Sequence, residues 1–339
     1  MKRLMHRAPT TRQQRGAAIL TAMLTVVLVA SLASATLWQQ WRGVEVEAAE
    51  RSRLQSSWVL TGALDWARLI LREDARQGGA DHLAEPWAVP LEPARLSTFL
   101  AADRSNAQAA DTANESFLAG QIIDLQSRLN VANLVLSGTV NEPAQRAFAR
   151  LFELLNLPAN ELTTLTDNLR LAQPDATDKA RSFAATSSYA PLWPQDIDQL
   201  AWVGLSAPTV EALRPFVTVL PQRTPVNLNT ASAEVLYACI DAFELADAHR
   251  LVTARNAKHL TTLAEVNTLS GKQDAQLSVE QHSVNSQFFE IRGALQIENM
   301  TVQEQSVVQR EGMNVKTISR KRGVVPQTAP PTMTANPRL

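Results

Sequence analysis

Between Ala17 and Trp41 the chain carries no charged residue, and residues 17–37 are built mainly from Ala, Leu, Val and Ile. At about 1.5 Å per residue, such a run reaches about 30 Å as a helix, the thickness of a bilayer core. No proline occurs between Pro9 and Pro86, and Gly78-Gly79 supplies a stop, so the pattern predicts one helix from Ala17 to Gln77. Its second half reads as amphipathic, with Leu54, Trp58, Gly62, Trp66, Leu69 and Ile70 spaced by threes and fours.

The middle of the chain reads as short helices. Phe148, Leu151, Phe152 and Leu155 share a face behind Asn141 as N-cap. Leu162, Leu165 and Leu169 follow Pro158, and Val210, Leu213, Val217 and Leu220 lie between Ser206 and Pro221. Asn229 or Thr230 is placed to cap a helix through about Ala242, with Glu234 in its first turn. After residue 280 the period shifts toward two. Phe289 to Ile297, Val302 to Val308 and Val315 to Ile318 read as three strands. Pro330-Pro331 marks the last stretch as a solvated tail.

Charge orients this plan. Residues 1–16 hold Lys2, Arg3, Arg7, Arg12 and Arg15 with no acid, whereas Arg42, Glu45 and Glu47 follow the apolar run. That asymmetry places the N-terminus in the cytoplasm and the body outside it. Without those sixteen residues the chain has 27 Lys and Arg against 33 Asp and Glu, a net charge of −6 that argues against nucleic acid as partner. The single cysteine, Cys239, excludes an intramolecular disulfide and reads as a small buried apolar residue.

Two processing patterns compete. Ala33-Ser34-Ala35 fits an ordinary signal-peptidase site, giving a mature chain from Thr36. Arg15-Gly16-Ala17-Ala18-Ile19-Leu20 fits a prepilin cut between Gly16 and Ala17, which keeps the apolar helix on the mature protein. A helix apolar in its first half and amphipathic in its second is the pilin layout.

Candidate chemistry is sparse. His82, His249, His259 and His282 sit in no HExxH pattern and beside no cysteine pair, so zinc is not expected. There is no GxSxG, P-loop or GxGxxG, and no catalytic residue is assigned. Asp124 near Arg128 and Asn130 suggests a polar site, with a turn and helix-start network as the favoured reading. The stretch from Asn229 to Val266 resembles a helix-hairpin-helix module, a common DNA binder, but its hairpin near Asp241-Ala242-Phe243-Glu244 has two acids and no glycine to grip phosphate.

Several segments, in order, resemble the type II secretion system protein K family of minor pseudopilins. They are Asp81-His82-Leu83-Ala84-Glu85-Pro86-Trp87, Ile123-Asp124-Leu125-Gln126-Ser127-Arg128-Leu129-Asn130, Leu220-Pro221-Gln222 leading to Val226-Asn227-Leu228-Asn229-Thr230-Ala231, and Val284-Asn285-Ser286-Gln287-Phe288-Phe289-Glu290-Ile291. The resemblance covers most of residues 12–323. It implies an α+β, pilin-like fold: a long N-terminal helix, a small antiparallel sheet and a large inserted helical domain of SAM-like or helix-hairpin-helix-like character. The expected divisions are a cytoplasmic leader 1–16, a transmembrane half-helix 17–41, a periplasmic half-helix 42–77, a first pilin-like part 78–129, the insertion 130–282, returning strands 283–323 and a disordered tail 324–339.

The resemblance further implies prepilin peptidase cleavage after Gly16, methylation of the Ala17 amine and a single-pass inner-membrane protein with a periplasmic body. It implies partnership with the I and J types of minor pseudopilin and with the inner-membrane secretion platform, and contact with secreted substrate or secretin. The expected role is to cap and initiate a pseudopilus for export across the outer membrane; the alternatives are a minor pilin of a type IV pilus or DNA-uptake apparatus and a membrane-anchored periplasmic enzyme. Leu20, Leu24, Leu28 and Leu32 form a candidate assembly stripe, with plain lipid contact as the alternative reading. Where most pilin-like subunits carry Glu as the fifth mature residue, this chain has Thr21. A carboxylate in lipid needs a partner, so its loss suits a filament tip with no subunit above it. The family's calcium-associated acidic loop corresponds here to residues 167–188, which offer only Asp167, Asp175 and Asp178 and no glycine. Calcium takes six to eight oxygens, so no cofactor is expected.

Overall fold

The computed structural model describes residues 14–96, 116–172, 191–272, 275–297 and 300–326. The leader before Gln14 and the tail after Pro326 lie outside them. The elements run α1 (Gln14–Gln77), β1 (Leu91–Arg95), β2 (Ser116–Asp124), β3 (Leu129–Asn130), β4 (Val135–Leu136), β5 (Thr139–Val140), α2 (Glu142–Leu154), α3 (Ala159–Ala172), α4 (Ala207–Leu213), β6 (Val217–Thr218) and β7 (Val226–Asn227). After these come α5 (Ala233–Cys239), α6 (Leu245–Ala257), α7 (Glu265–Ser270), β8 (His282–Ser283), β9 (Phe288–Ile297), β10 (Met300–Glu311) and β11 (Asn314–Pro326). The chain forms two compact units, Met1–Val59 and Leu60–Leu339. In the first, every described side chain from Ala17 to Arg51 is exposed.

In the second unit, β1, β2, β9, β10 and β11 make one sheet in that order, with every neighbouring pair antiparallel. Residues 60–77 of α1 pack on one face through Leu60, Leu64, Ala67 and Leu71, spaced by three and four. Of the stripe read from the sequence, Ile70 packs against this core and the large residues before it do not. Leu54, Trp58, Trp66 and Leu69 are exposed, Trp58 at 77%. Sterics explain the choice, because the sheet beneath the helix carries Gly120 paired with Gly293, and Leu60 Cδ2 sits 3.2 Å from the position a Cβ on Gly293 would take. That close approach suits an aliphatic side chain and leaves no depth for an indole. Trp87 and Phe289 close the far end of this core edge to face, 5.2 Å between centroids.

Strands β2 and β9 are neighbours, yet 163 residues separate Asp124 from Phe288, and the helical part of the chain is threaded between them. It has its own core. Phe148, Leu151 and Phe152 of α2 meet Leu165 and Leu169 of α3, Leu213 of α4, Val235 and Leu236 of α5 and Leu251 of α6. A small cluster of Leu125, Leu220 and Phe288 joins the two cores where the chain leaves and re-enters the sheet.

Several local expectations need correction. The helix before Pro221 ends at Leu213, and Val217-Thr218 turns extended to pair in parallel with β3. The helix near residue 235 is capped by Ser232, whose Oγ accepts from Val235 N, and ends at Cys239 rather than Ala242. Asn141 precedes α2 but donates its amide to Asn133 O instead of capping. The last strand runs to Pro326, beyond residue 323.

Candidate functional site

Helix α1 begins at Gln14 and passes through Gly16 and Ala17 without a break. The part from Ala17 onward is long and apolar enough to cross a membrane, with a mean hydropathy of 2.2 over its most apolar window. Four of the five hydroxyl side chains in the apolar run bond back to their own helix. Thr21 Oγ1 donates to Ala17 O and Ala18 O at 3.0 Å, Thr25 to Ala22 O, Ser31 to Leu28 O and Thr36 to Ala33 O. These four hydroxyls therefore demand no polar partner outside the helix. Leu20, Leu24, Leu28 and Leu32 form a continuous exposed stripe, and Ile19, Met23, Val26, Val27 and Val29 are equally exposed around it.

A second constellation lies where the helical insertion meets the sheet. At the end of β2, Asp124 is fully buried. Its Oδ1 accepts from Gln126 N at 2.7 Å, capping a 3-10 turn, and its Oδ2 accepts from Thr230 Oγ1 at 2.5 Å and Ser286 Oγ at 2.6 Å. Asn227 Nδ2 lies 3.0 Å from the same oxygen and 3.1 Å from Asp81 O. Burial pushes the Asp124 carboxyl up to about 6, against the pull of its hydroxyl and amide donors. Next to it, Arg310 on β10 donates to Asp81 Oδ1 and Oδ2, to Ser286 O and to Asp74 Oδ2 on α1. Glu85 completes a group of three carboxylates within 4.8 Å of one another. Its Oε2 accepts from His82 N and Trp87 Nε1. Desolvation raises the carboxyls of Asp74 and Asp81 despite Arg310. This is a saturated brace: each oxygen of Asp81 and Asp124 already faces donors, and the arrangement ties α1, β2, β10 and the insertion together.

Asparagines extend the brace into the insertion by imitating backbone. Asn229 pairs both of its amide atoms with Leu260 N and O at 2.8 and 2.9 Å. Asn133 does the same with Thr224. Asn130 accepts from Ala132 N and Leu220 N and donates to Gln222 O. The sequence reading of Asp124 as a turn network holds, whereas Asn229 and Thr230 serve as cross-braces, not as helix caps. The roles of Asp81, Asp74, Ser286 and Arg310 were missed. The available signal was an Arg placed inside an alternating strand.

The helix-turn-helix of α5 and α6 exists, but its turn is closed to phosphate. Glu244 N is taken by Asp247 Oδ2 in a capping box, and Asp241 holds Arg146. Asp167 lies on α3 in an exposed pair with Arg170 at 3.7 Å, and Asp175 and Asp178 fall outside the described residues. Cys239 is buried, its thiol pushed up to about 12 by desolvation and bonded to Leu236 O, so it packs as an apolar residue.

Two family models, both described as type II secretion system protein K, match residues 127–222 and 226–285. A type II secretion system protein K of Pseudomonas aeruginosa is 28% identical over 278 residues, covering 74% of this chain and 78% of its own. One from Klebsiella pneumoniae is 27% identical over 337 residues, covering 92% and 97%. Among solved structures, the GspK–GspI–GspJ complex of the enterotoxigenic Escherichia coli type 2 secretion system matches with a TM-score of 0.61 at 19% identity, over 81% of this chain and 98% of that one.

Proposed function

The chain belongs to the type II secretion system protein K family, and we propose that it acts as the minor pseudopilin that caps the pseudopilus and helps start its assembly. The observation that carries this reading is α1. One unbroken helix carries no charge through residues 17–41, and from Leu60 it packs into the core of the sheet. Such a helix holds a subunit in a membrane while its folded body remains available to neighbours.

In this reading the inner membrane holds residues 17–41 with the N-terminus cytoplasmic and the body periplasmic. Prepilin peptidase cuts between Gly16 and Ala17, and the new Ala17 amine is methylated. Thr21 fits the tip position. Its hydroxyl is satisfied by Ala17 O and Ala18 O, so the helix asks for no cation from a subunit above it. Partners of the I and J types pack against the anchor helix, with Leu20, Leu24, Leu28 and Leu32 as the proposed stripe. The role is structural, and it uses no metal. The test is co-expression of the full chain with the I- and J-type subunits of its own system in membranes. The reading expects the three to co-purify from detergent as one complex; recovery of this chain alone under conditions that preserve the I–J pair would overturn it.

A further inference from the structure

The two edges of the sheet are built differently. The edge at β1 is closed by ordinary means: it is only five residues long and includes Pro93, which has no N–H. The edge at β11 is open. This strand runs thirteen residues, contains no proline before its last position, and has β10 as its single strand neighbour among the described residues. Arg68 of α1 takes the first outward carbonyl, donating from Nε and Nη2 to Val315 O at 3.0 and 2.5 Å. From Lys316 to Gly323 every residue is exposed, and backbone N–H and C=O groups face outward on both sides of one register shift, where Ile318 is the extra residue opposite Val307 and Val308.

Charge says what fits there. The strand holds Lys316, Arg320, Lys321 and Arg322 and no acid, in a mature chain that is net acidic. Their carboxylate partners all lie off the strand, and Arg320 and Arg322 converge on one of them, Glu304. Lys321 reaches Asp196, and Lys316 reaches Glu311. Two copies of β11 set edge to edge would oppose four cations with four, which selects against self-pairing. An extended chain bearing Asp or Glu meets both demands at once, hydrogen bonds to the open row and carboxylates to the cations. We propose that the free edge of β11 is a docking strand that takes up an extended acidic segment of a partner protein by β-addition.

The test uses the full chain in detergent micelles and three probes: a ten-residue peptide alternating Glu and Val, the same peptide with two inner valines replaced by proline, and poly-glutamate. The Glu-Val peptide is expected to slow amide exchange across residues 316–323 by about tenfold or more, while the proline peptide gives no protection there. Combining Lys316→Glu with Lys321→Glu is expected to weaken the Glu-Val peptide by about tenfold. Absence of protection, or equal binding of the Glu-Val peptide, the proline peptide and poly-glutamate, overturns the proposal; the latter result would mean simple polyanion attraction. The comparison of peptides on the unaltered chain decides the matter even if the double variant folds poorly.

Discussion

Arg310 donates to both carboxylate oxygens of Asp81, at 2.6 and 2.7 Å, across 229 residues of sequence. The same guanidinium reaches Asp74 at 2.5 Å and lies 4.8 Å above the ring of Phe289. One side chain on β10 thus neutralises the end of α1 and the segment that follows it. Removing one partner of a buried pair leaves the other charge without compensation, at a cost of about 3–5 kcal/mol. Arg310→Met is expected to lower the unfolding free energy of the full chain in detergent by about that amount, as read from urea titration. Adding Asp81→Asn should recover part of the loss.

Asp124 makes stability depend on pH. The folded carboxyl titrates at about 6, whereas an unfolded aspartate titrates near 3.9. Between those values the folded chain holds the proton that the unfolded chain releases, so this group's contribution to stability falls as pH rises from about 4 to 6 and stays low above that. The shift corresponds to about 3 kcal/mol. His82 acts with the opposite sign: burial and then the stacked His259 hold its pKa down, and its contribution is lost as pH falls below the usual histidine range. Comparing unfolding of the parent chain with Asp124→Asn from pH 4 to 7 isolates the first effect. The fall between pH 4 and 6 should be shallower in the variant; equal slopes would contradict it.

Asn229 completes a two-bond ladder with Leu260, which is fully buried. Asn229→Ala leaves a buried N–H and a buried C=O without partners, each worth about 1–3 kcal/mol. A loss of about 2 kcal/mol or more is expected in the same titration. Asn156→Ala, at an exposed turn, serves as the comparison and should cost clearly less.

Gly204 ends the turn Ile197–Val203 at φ +103°, and a Cβ there would lie 2.5 Å from Thr164 Cγ2 on α3. Gly204→Ala combines a left-handed backbone with a clash and should cost about 2 kcal/mol or more. In contrast, Gly62 sits within α1 with nothing within 4 Å of its missing Cβ, and Gly62→Ala should add about 0.5–1 kcal/mol. A thermal melt that ranks these two variants in the reverse order would refute the packing described for the two positions.

The long helix, the helical insertion and the three closing strands were legible because their periods are strong and uninterrupted. What sequence could not settle was which face of α1 packs. Two stripes on one helix had the same spacing, and the choice fell to Gly120 and Gly293, which lie on strands beyond the helix in sequence. The brace escaped for a related reason. Asp81, Asp124, Asn227, Ser286 and Arg310 are scattered over 230 positions, and the place of Arg310 inside an alternating strand does not say which acids it meets. The asparagine motifs were visible as motifs, but their work as backbone substitutes depends on Thr224 and Leu260, which only the fold brings opposite them.

The account depends most on the anchor remaining attached to the exported body. Intact-mass analysis of the chain purified from membranes of its own host, or of one supplying prepilin peptidase, reads this directly. A mature protein beginning at N-methylated Ala17 is the expected result. A soluble product beginning at Thr36 would contradict the account.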